Sequence, residues 1–350
     1  MSIRRSAVLA GAVALALSLT ACGGSSDADG SGNPGNSGNS DNSDNGDAEG
    51  TESNETRVFT ADNGDITIPA DPQRVVATGY AVPVLIEAGA PLVGISSWQR
   101  GEPLMTEEDL ATYEGITRVA GELAAETNYE AIAEVEPDLI VIGVPAPVLG
   151  DLDLDRLESI APVVAIGPTI PSAWRELSRQ QADAAGALEQ FDEVQAEYEA
   201  AAAELAEKYA DVLPDLDFGH IGAYGEVAGG TFQREFGGSW GTNVAEDIGA
   251  GYYGEVKEPG PGSRAVSEYP SIEELPESLG DAEAITYTVN ADGSVPEPVQ
   301  YVMDSELWQN LPAVRAGMTF PVRYTEAATY RQAMLALEAL DESFAPLLDR

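Results

Sequence analysis

Residues 172–213, "SAWRELSRQQADAAGALEQFDEVQAEYEAAAAELAEKYADVL", contain no proline. Their large apolar side chains (Trp174, Leu177, Leu188, Phe191, Val194, Tyr198, Leu205, Tyr209 and Val212) fall mostly at spacings of three, four, seven or eleven. That is the stripe of an amphipathic helix. At 1.5 Å per residue an uninterrupted helix here would be about 60 Å long, more than the diameter of one small domain. The segment therefore predicts a rigid spacer that crosses from one lobe to another. A coiled coil is the alternative, but the stripe lacks a sustained heptad.

What flanks the spacer has a different rhythm. "TRVFTADNGDITIP" reads as a hairpin turning at "DNG". Short apolar runs follow at 74–78 (RVVAT), 91–96 (PLVGIS), 138–143 (DLIVIG) and 162–167 (PVVAIG), separated by helical stretches near 81–89, 105–113, 128–136 and 152–160. Beyond Pro214 the alternation resumes with strands at 217–224, 283–289 and 317–322 and helices near 240–249, 271–279 and 326–348. Runs apolar on both faces and separated by helices predict parallel sheets covered on both sides. The expected fold is α/β: two Rossmann-like lobes, 57–171 and 214–350, each with a central, mostly parallel sheet, joined by one long rigid α-helix at 172–213.

The chain opens on Arg4 and Arg5, an apolar run, and "LTAC" ending at Cys22, its sole cysteine. This predicts a lipoprotein signal peptide over 1–21 with lipid attachment at Cys22; the run is too short for a comfortable transmembrane span of ~20 residues. Residues 22–56, rich in Gly, Ser, Asn and acid, predict a disordered tether with roughly 30 Å of reach. Against 60 acidic residues stand only 17 Lys and Arg, so nucleic acid and anionic surfaces are poor partners overall. One histidine, His220, and no second cysteine leave no His/Cys metal site of the usual kind. His220 lies inside a predicted strand and is expected to be a satisfied core residue.

A lipoprotein signal, a tether, an α/β lobe, one long helix and a second α/β lobe, in that order, resemble the substrate-binding proteins of bacterial ABC importers for ferric siderophores, haem and cobalamin. The resemblance runs from about residue 57 to 348 and is carried by "DPQRVVAT", "VLIEAGAPLVGIS", "NYEAIAEVEPDLIVIG", "IAPVVAIG", "GGSWGTNVAEDIGA", "SIEELPESLGDAEAI" and "LWQNLPAVRAGMTFPV". It implies an extracytoplasmic, membrane-anchored, monomeric receptor without catalysis or resident cofactor, whose partners are an ABC permease and an iron(III)-siderophore complex. It also implies docking on the permease through one acidic residue per lobe: Glu130 in "N-x-E" and Glu273 in "SIEEL", with Glu274 as the neighbouring alternative. Haem, cobalamin or bare ferric ion are alternatives within the family; a surface-anchored glycosidase using two carboxylates, or an adhesin, lie outside it.

A siderophore already fills the coordination positions of iron, so its receptor has to recognise an organic shell with aromatic and arginine side chains. Open α/β sheets gather ligands at the carboxyl ends of their strands. On the first lobe those ends carry Tyr80, Trp98 and Arg100; on the second, Tyr224, Phe232, Arg234, Trp240, Arg323 and Tyr324. These nine are the predicted ligand contacts. The adjacent Tyr252 and Tyr253 raise the competing possibility of phenolate ligation of ferric ion. The overall acidity favours a neutral or cationic chelate such as a hydroxamate, with the three predicted cleft arginines pulling the other way.

Overall fold

The computed structural model describes residues 55–350. The predicted signal peptide, the lipid site Cys22 and the tether up to residue 54 lie outside the described residues. The chain enters through the expected hairpin of β1 (Thr56–Ala61) and β2 (Gly64–Pro69), with Ala61 opposite Gly64 at the turn. The first lobe then alternates β3 (Val75–Gly79), α1 (Ala81–Glu87), β4 (Leu92–Ser96), α2 (Glu107–Gly115), β5 (Arg118–Ala120), α3 (Tyr129–Glu134), β6 (Leu139–Gly143), α4 (Leu154–Glu158) and β7 (Val163–Ala165).

Its sheet is parallel throughout, in the order β5-β4-β3-β6-β7. Side-chain alternation explains why the strand sequences are apolar at every position. Val75, Ala77, Leu139, Val141 and Val164 join the core on one face, while Val76, Ile140, Ile142, Val163 and Ala165 join the core on the other. Each fully buried Val, Leu or Ile contributes about 1.5–3 kcal/mol. Strand β5 escapes the sequence pattern because only Val119 of its three residues is buried.

The predicted 172–213 helix is corrected: it is two helices, α5 (Trp174–Ala184) and α6 (Leu188–Lys208). The break lies at Gly186, where φ is +70°. There the Ala187 N–H donates to Ala182 O at 2.8 Å and the Gly186 N–H to Asp183 O at 3.0 Å. This pair of bonds is the Schellman stop, which a glycine accepts without the Cβ strain other residues incur. The amphipathic stripe survives within α6, where Phe191, Val194, Tyr198 and Ala202 enter the second lobe's core. Helix α5 spans both lobes: Leu177 packs on the first lobe's core and Trp174 belongs to the second's. The two-lobe arrangement thus rests on a capped pair of helices and needs no single rod.

The second lobe comprises β8 (Asp217–Gly222), β9 (Gln233–Glu235), α7 (Asn243–Asp247), β10 (Gly251–Tyr252), β11 (Ser267–Glu268), α8 (Leu275–Leu279), β12 (Ala284–Thr288), the short helices α9 (Glu297–Met303), α10 (Glu306–Gln309) and α11 (Pro312–Arg315), β13 (Thr319–Val322) and α12 (Tyr330–Phe344). Its strands run β11-β9-β8-β12-β13, with β10 beside β8; β8, β10, β12 and β13 are parallel, β9 runs antiparallel to them, and β11 pairs antiparallel with β9.

Polar ties bind the lobes at their base. The Glu87 carboxylate at the end of α1 accepts from the Tyr330 and Arg331 N–H groups of α12 at 3.0 and 2.8 Å, and Arg331 pairs with Asp109 of α2 at 2.6 Å. A buried acid at the first turn of a 15-residue helix satisfies two otherwise orphan donors.

Candidate functional site

A cleft of about 380 Å³ opens between the carboxyl ends of the two sheets. On the first lobe its wall begins where β3 ends. Gly79 has φ +61°, and a Cβ there would sit 2.5 Å from Gly143 O, so the chain makes a turn that only glycine permits. The next residue, Tyr80, is fixed by its N–H to Gly143 O at 2.8 Å. Trp98 follows β4, its backbone N–H held by the Tyr113 hydroxyl at 2.7 Å. The Trp98 ring meets Tyr80 edge-on at 4.8 Å, and the Arg100 guanidinium lies 4.1 Å from the Trp98 centroid and 4.9 Å from that of Tyr80. Arg100 also faces Glu122 at 3.5 Å.

The second lobe supplies Tyr224 after β8, Gln233 on β9, Trp240, Tyr269 after β11, and Glu326 between β13 and α12. Trp240 lies parallel to Tyr80 of the opposite lobe, with centroids 6.3 Å apart and planes within 7°. The Tyr224 hydroxyl donates to the Glu326 carboxylate. Burial pushes the Tyr80 and Tyr224 phenols up from their ordinary value; at Tyr80 the Arg100 charge opposes this and Glu326 adds to it, at Tyr224 Glu326 adds to it, and both stay protonated.

Beneath this wall one buried acid organises three cleft residues. Glu235 accepts from the Gly241 N–H at 2.7 Å, next to Trp240, and from Gln233 Nε2 at 2.9 Å; Gln233 Oε1 in turn accepts from the Tyr224 N–H at 2.9 Å. Burial raises the Glu235 carboxyl to about 7. His220 is fully buried with its ring nitrogens against the Thr286 and Thr288 hydroxyls at 2.8 and 3.1 Å. Burial, and then the Arg234 charge, lower it to about 3. The 3.5 Å contact between His220 and Glu235 is therefore no ion pair, because the histidine stays neutral. His220 is the satisfied core residue its sequence context predicts.

Of the nine predicted contacts, Tyr80, Trp98, Arg100, Tyr224 and Trp240 come together in the cleft. Four do not, and are corrected. Phe232 is fully buried in the second lobe's core. Arg234 is also fully buried: it sits over the Phe236 ring at 4.5 Å and donates to Tyr253 O at 2.9 Å. Both fail for one reason. The segment is a strand, whose successive side chains take opposite faces, so Gln233 lines the cleft and its neighbours turn away. Arg323 pairs with Glu342 of α12 in a separate surface hollow beside Val289 and Pro321. Tyr324 adopts φ +58° and packs on the core, a turn that leaves Glu326 as the cleft residue of this loop.

Tyr252 and Tyr253 also stay out of the cleft, their hydroxyls bonded to Thr286 Oγ1 at 3.0 Å and Ser278 O at 2.8 Å; paired phenolate ligation there is overturned. Among the described residues no three His, Cys, Asp or Glu side chains form a metal-holding group. Sequence reading missed Gln233, Tyr269 and Glu326. For Glu326 the usable signal was its place in the loop between β13 and the Thr329 cap of α12.

Glu130 lies in the first turn of α3, exposed and without a salt bridge among the described residues. Glu273 is likewise exposed, whereas Glu274 accepts from the Ser271 N–H and pairs with Lys257 at 3.1 Å.

Comparison with known proteins accords with this architecture. A family model described as periplasmic binding protein matches residues 75–215. The iron(3+)-hydroxamate-binding protein YxeB of Bacillus subtilis is 26% identical over 77% of this chain and 78% of its own. FhuD of the same organism, also an iron(3+)-hydroxamate-binding protein, is 25% identical over 88% and 87%. The solved siderophore periplasmic binding protein from the fuscachelin gene cluster of Thermobifida fusca is 31% identical, with 80% of this chain and 99% of that one covered at a TM-score of 0.63. A shared two-lobe fold, and 31% identity over essentially all of that relative, show that this chain belongs to the family of periplasmic substrate-binding proteins that includes these siderophore-binding proteins.

Proposed function

We propose that this protein is the extracytoplasmic receptor of an ABC importer, capturing an iron(III)-siderophore in the interlobe cleft and delivering it to the permease. The observation that carries the reading is the cleft itself: Tyr80 and Trp98 from one lobe and Tyr224 and Trp240 from the other face a shared space of about 380 Å³. Aromatic faces suit a large, partly apolar chelate whose iron is already coordinated, so iron arrives as cargo and the protein carries no resident cofactor. Hydroxamate chelates are favoured by the names of the two Bacillus subtilis relatives and by the loss of Arg234 and Arg323 from the predicted cleft set.

Anchoring through Cys22 and permease docking through Glu130 and Glu273 belong to the same reading. Exposed carboxylates without local partners can steer and register an encounter while adding little to fold stability. The polar ties between α1, α2 and α12 favour a small relative movement of the lobes over a wide hinge closure. Titration of the purified protein with hydroxamate, catecholate and carboxylate iron chelates, haem and cobalamin, read by tryptophan fluorescence, tests the assignment. Saturable quenching by an iron chelate is expected; a response to haem or cobalamin alone would reassign the ligand, and no saturable response would reject the receptor reading.

A further inference from the structure

We propose that Glu326 makes the cleft selective for iron chelates that carry a positive charge, such as a trihydroxamate complex with a free ammonium group, and turns it against anionic chelates. The inference rests on the receptor reading and specifies its ligand class. Its basis is the charge inventory of the cleft wall, where Arg100 and Glu326 are the only Asp, Glu, Lys or Arg side chains among the described residues. They are not equivalent. Arg100 is half exposed, faces Glu122 of its own lobe at 3.5 Å, and lies over the Trp98 and Tyr80 rings, so its charge has a local counter-ion.

Glu326 has no cationic partner among the described residues; its contact is the Tyr224 hydroxyl. A carboxylate offers about four acceptor sites, so most of this group's capacity stays available to a ligand. Its carboxylate shares the cleft space with the Tyr80 ring of the first lobe, and its charge adds to the upward displacement of the Tyr224 phenol beside it. Arg100 therefore keeps the first-lobe side of the cleft positive, while the second-lobe side, at Tyr224 and Glu326, presents negative charge. An ammonium arm gains a charge-assisted hydrogen bond there, while a multiply anionic catecholate complex meets like charge in a partly desolvated wall.

The test uses the full-length mature protein and three probes: the iron(III) complex of desferrioxamine B, which bears one free ammonium, its N-acetylated neutral form, and an anionic iron(III) tris-catecholate. The expected result is affinity at least about tenfold greater for the ammonium form than for the acetylated form, which corresponds to about 1.4 kcal/mol, with the catecholate weakest. Glu326→Gln should abolish the difference between the first two by bringing the ammonium form's affinity down to that of the acetylated form. Tyr224→Phe, which keeps the carboxylate, should retain the preference. Equal wild-type affinity for the two hydroxamates, or a preference that persists in Glu326→Gln, overturns charge selection alone. If none of the three binds, the hydroxamate reading falls and this inference falls with it.

Discussion

Replacing Glu87 with glutamine should change how the stability of this protein depends on pH. Glu87 is 3% exposed, and burial raises its carboxyl from 4.5 to about 7, against the lowering effect of the Thr329 hydroxyl and the Arg331 and Tyr330 N–H groups; Asp109 adds to the rise. Its folded value exceeds its unfolded value, so between pH 4.5 and 7 the folded chain holds more protons than the unfolded one. Stability from this group is therefore fully present below about 4.5 and is lost as pH rises through 7. The difference amounts to about 3 kcal/mol.

Glutamine does not titrate, and it loses one of the two acceptors that serve α12, at about 1 kcal/mol. Glu87→Gln should then be about as stable as the wild type at pH 5, where the wild type has already given up about 0.8 kcal/mol, and more stable by about 2 kcal/mol at pH 8. Urea denaturation at both pH values measures this directly. Glu235 rises to about 7 for the same reason and contributes to the wild-type slope, but it is unchanged in the variant and cancels from the difference. A wild-type-minus-variant difference that stays constant from pH 5 to 8 would refute the reasoning.

Four further expectations concern the predicted site residues. Glu130→Ala and Glu273→Ala should leave chelate affinity intact while radiolabelled iron uptake by cells falls; equal loss of both measurements would reject the docking role. Trp98→Ala removes the ring shared by Tyr80 and Arg100, and calorimetry should show affinity for the bound chelate weakened by about 1–3 kcal/mol; unchanged affinity would take Trp98 out of the binding surface. Arg234→Ala should lower stability by about 3 kcal/mol or more, because it empties a fully buried site and strips the donor from Tyr253 O. Arg323→Ala should leave chelate affinity unchanged, and a measurable loss would restore Arg323 to the cleft.

The polarity of residues along the chain was enough to mark most of the strands and helices. Runs such as Leu139–Gly143, apolar at nearly every position, can only be covered on both faces, and that alone specifies a parallel sheet under helices. The residues that follow parallel strands were legible for the same reason: Tyr80, Trp98 and Tyr224 succeed β3, β4 and β8, whose carboxyl ends face the cleft whatever the details of packing. The lone histidine, set inside a strand, could be read as a core residue.

Tertiary structure decided what depends on parity, handedness and distance. Whether 233–235 pairs as a strand determines which alternate residue meets the ligand, so Gln233 and Arg234 exchange roles on one hydrogen-bond ladder. A positive φ at Tyr324 brings Glu326 into the cleft in place of Arg323, and a positive φ at Gly186 ends a helix that the apolar stripe alone would continue. The capping of α12 by Glu87 joins residues more than 240 positions apart. Local sequence carries the preference of each segment for helix or strand; which side chains share the cleft is set by backbone turns and long-range pairings whose energies arise only once the lobes have packed.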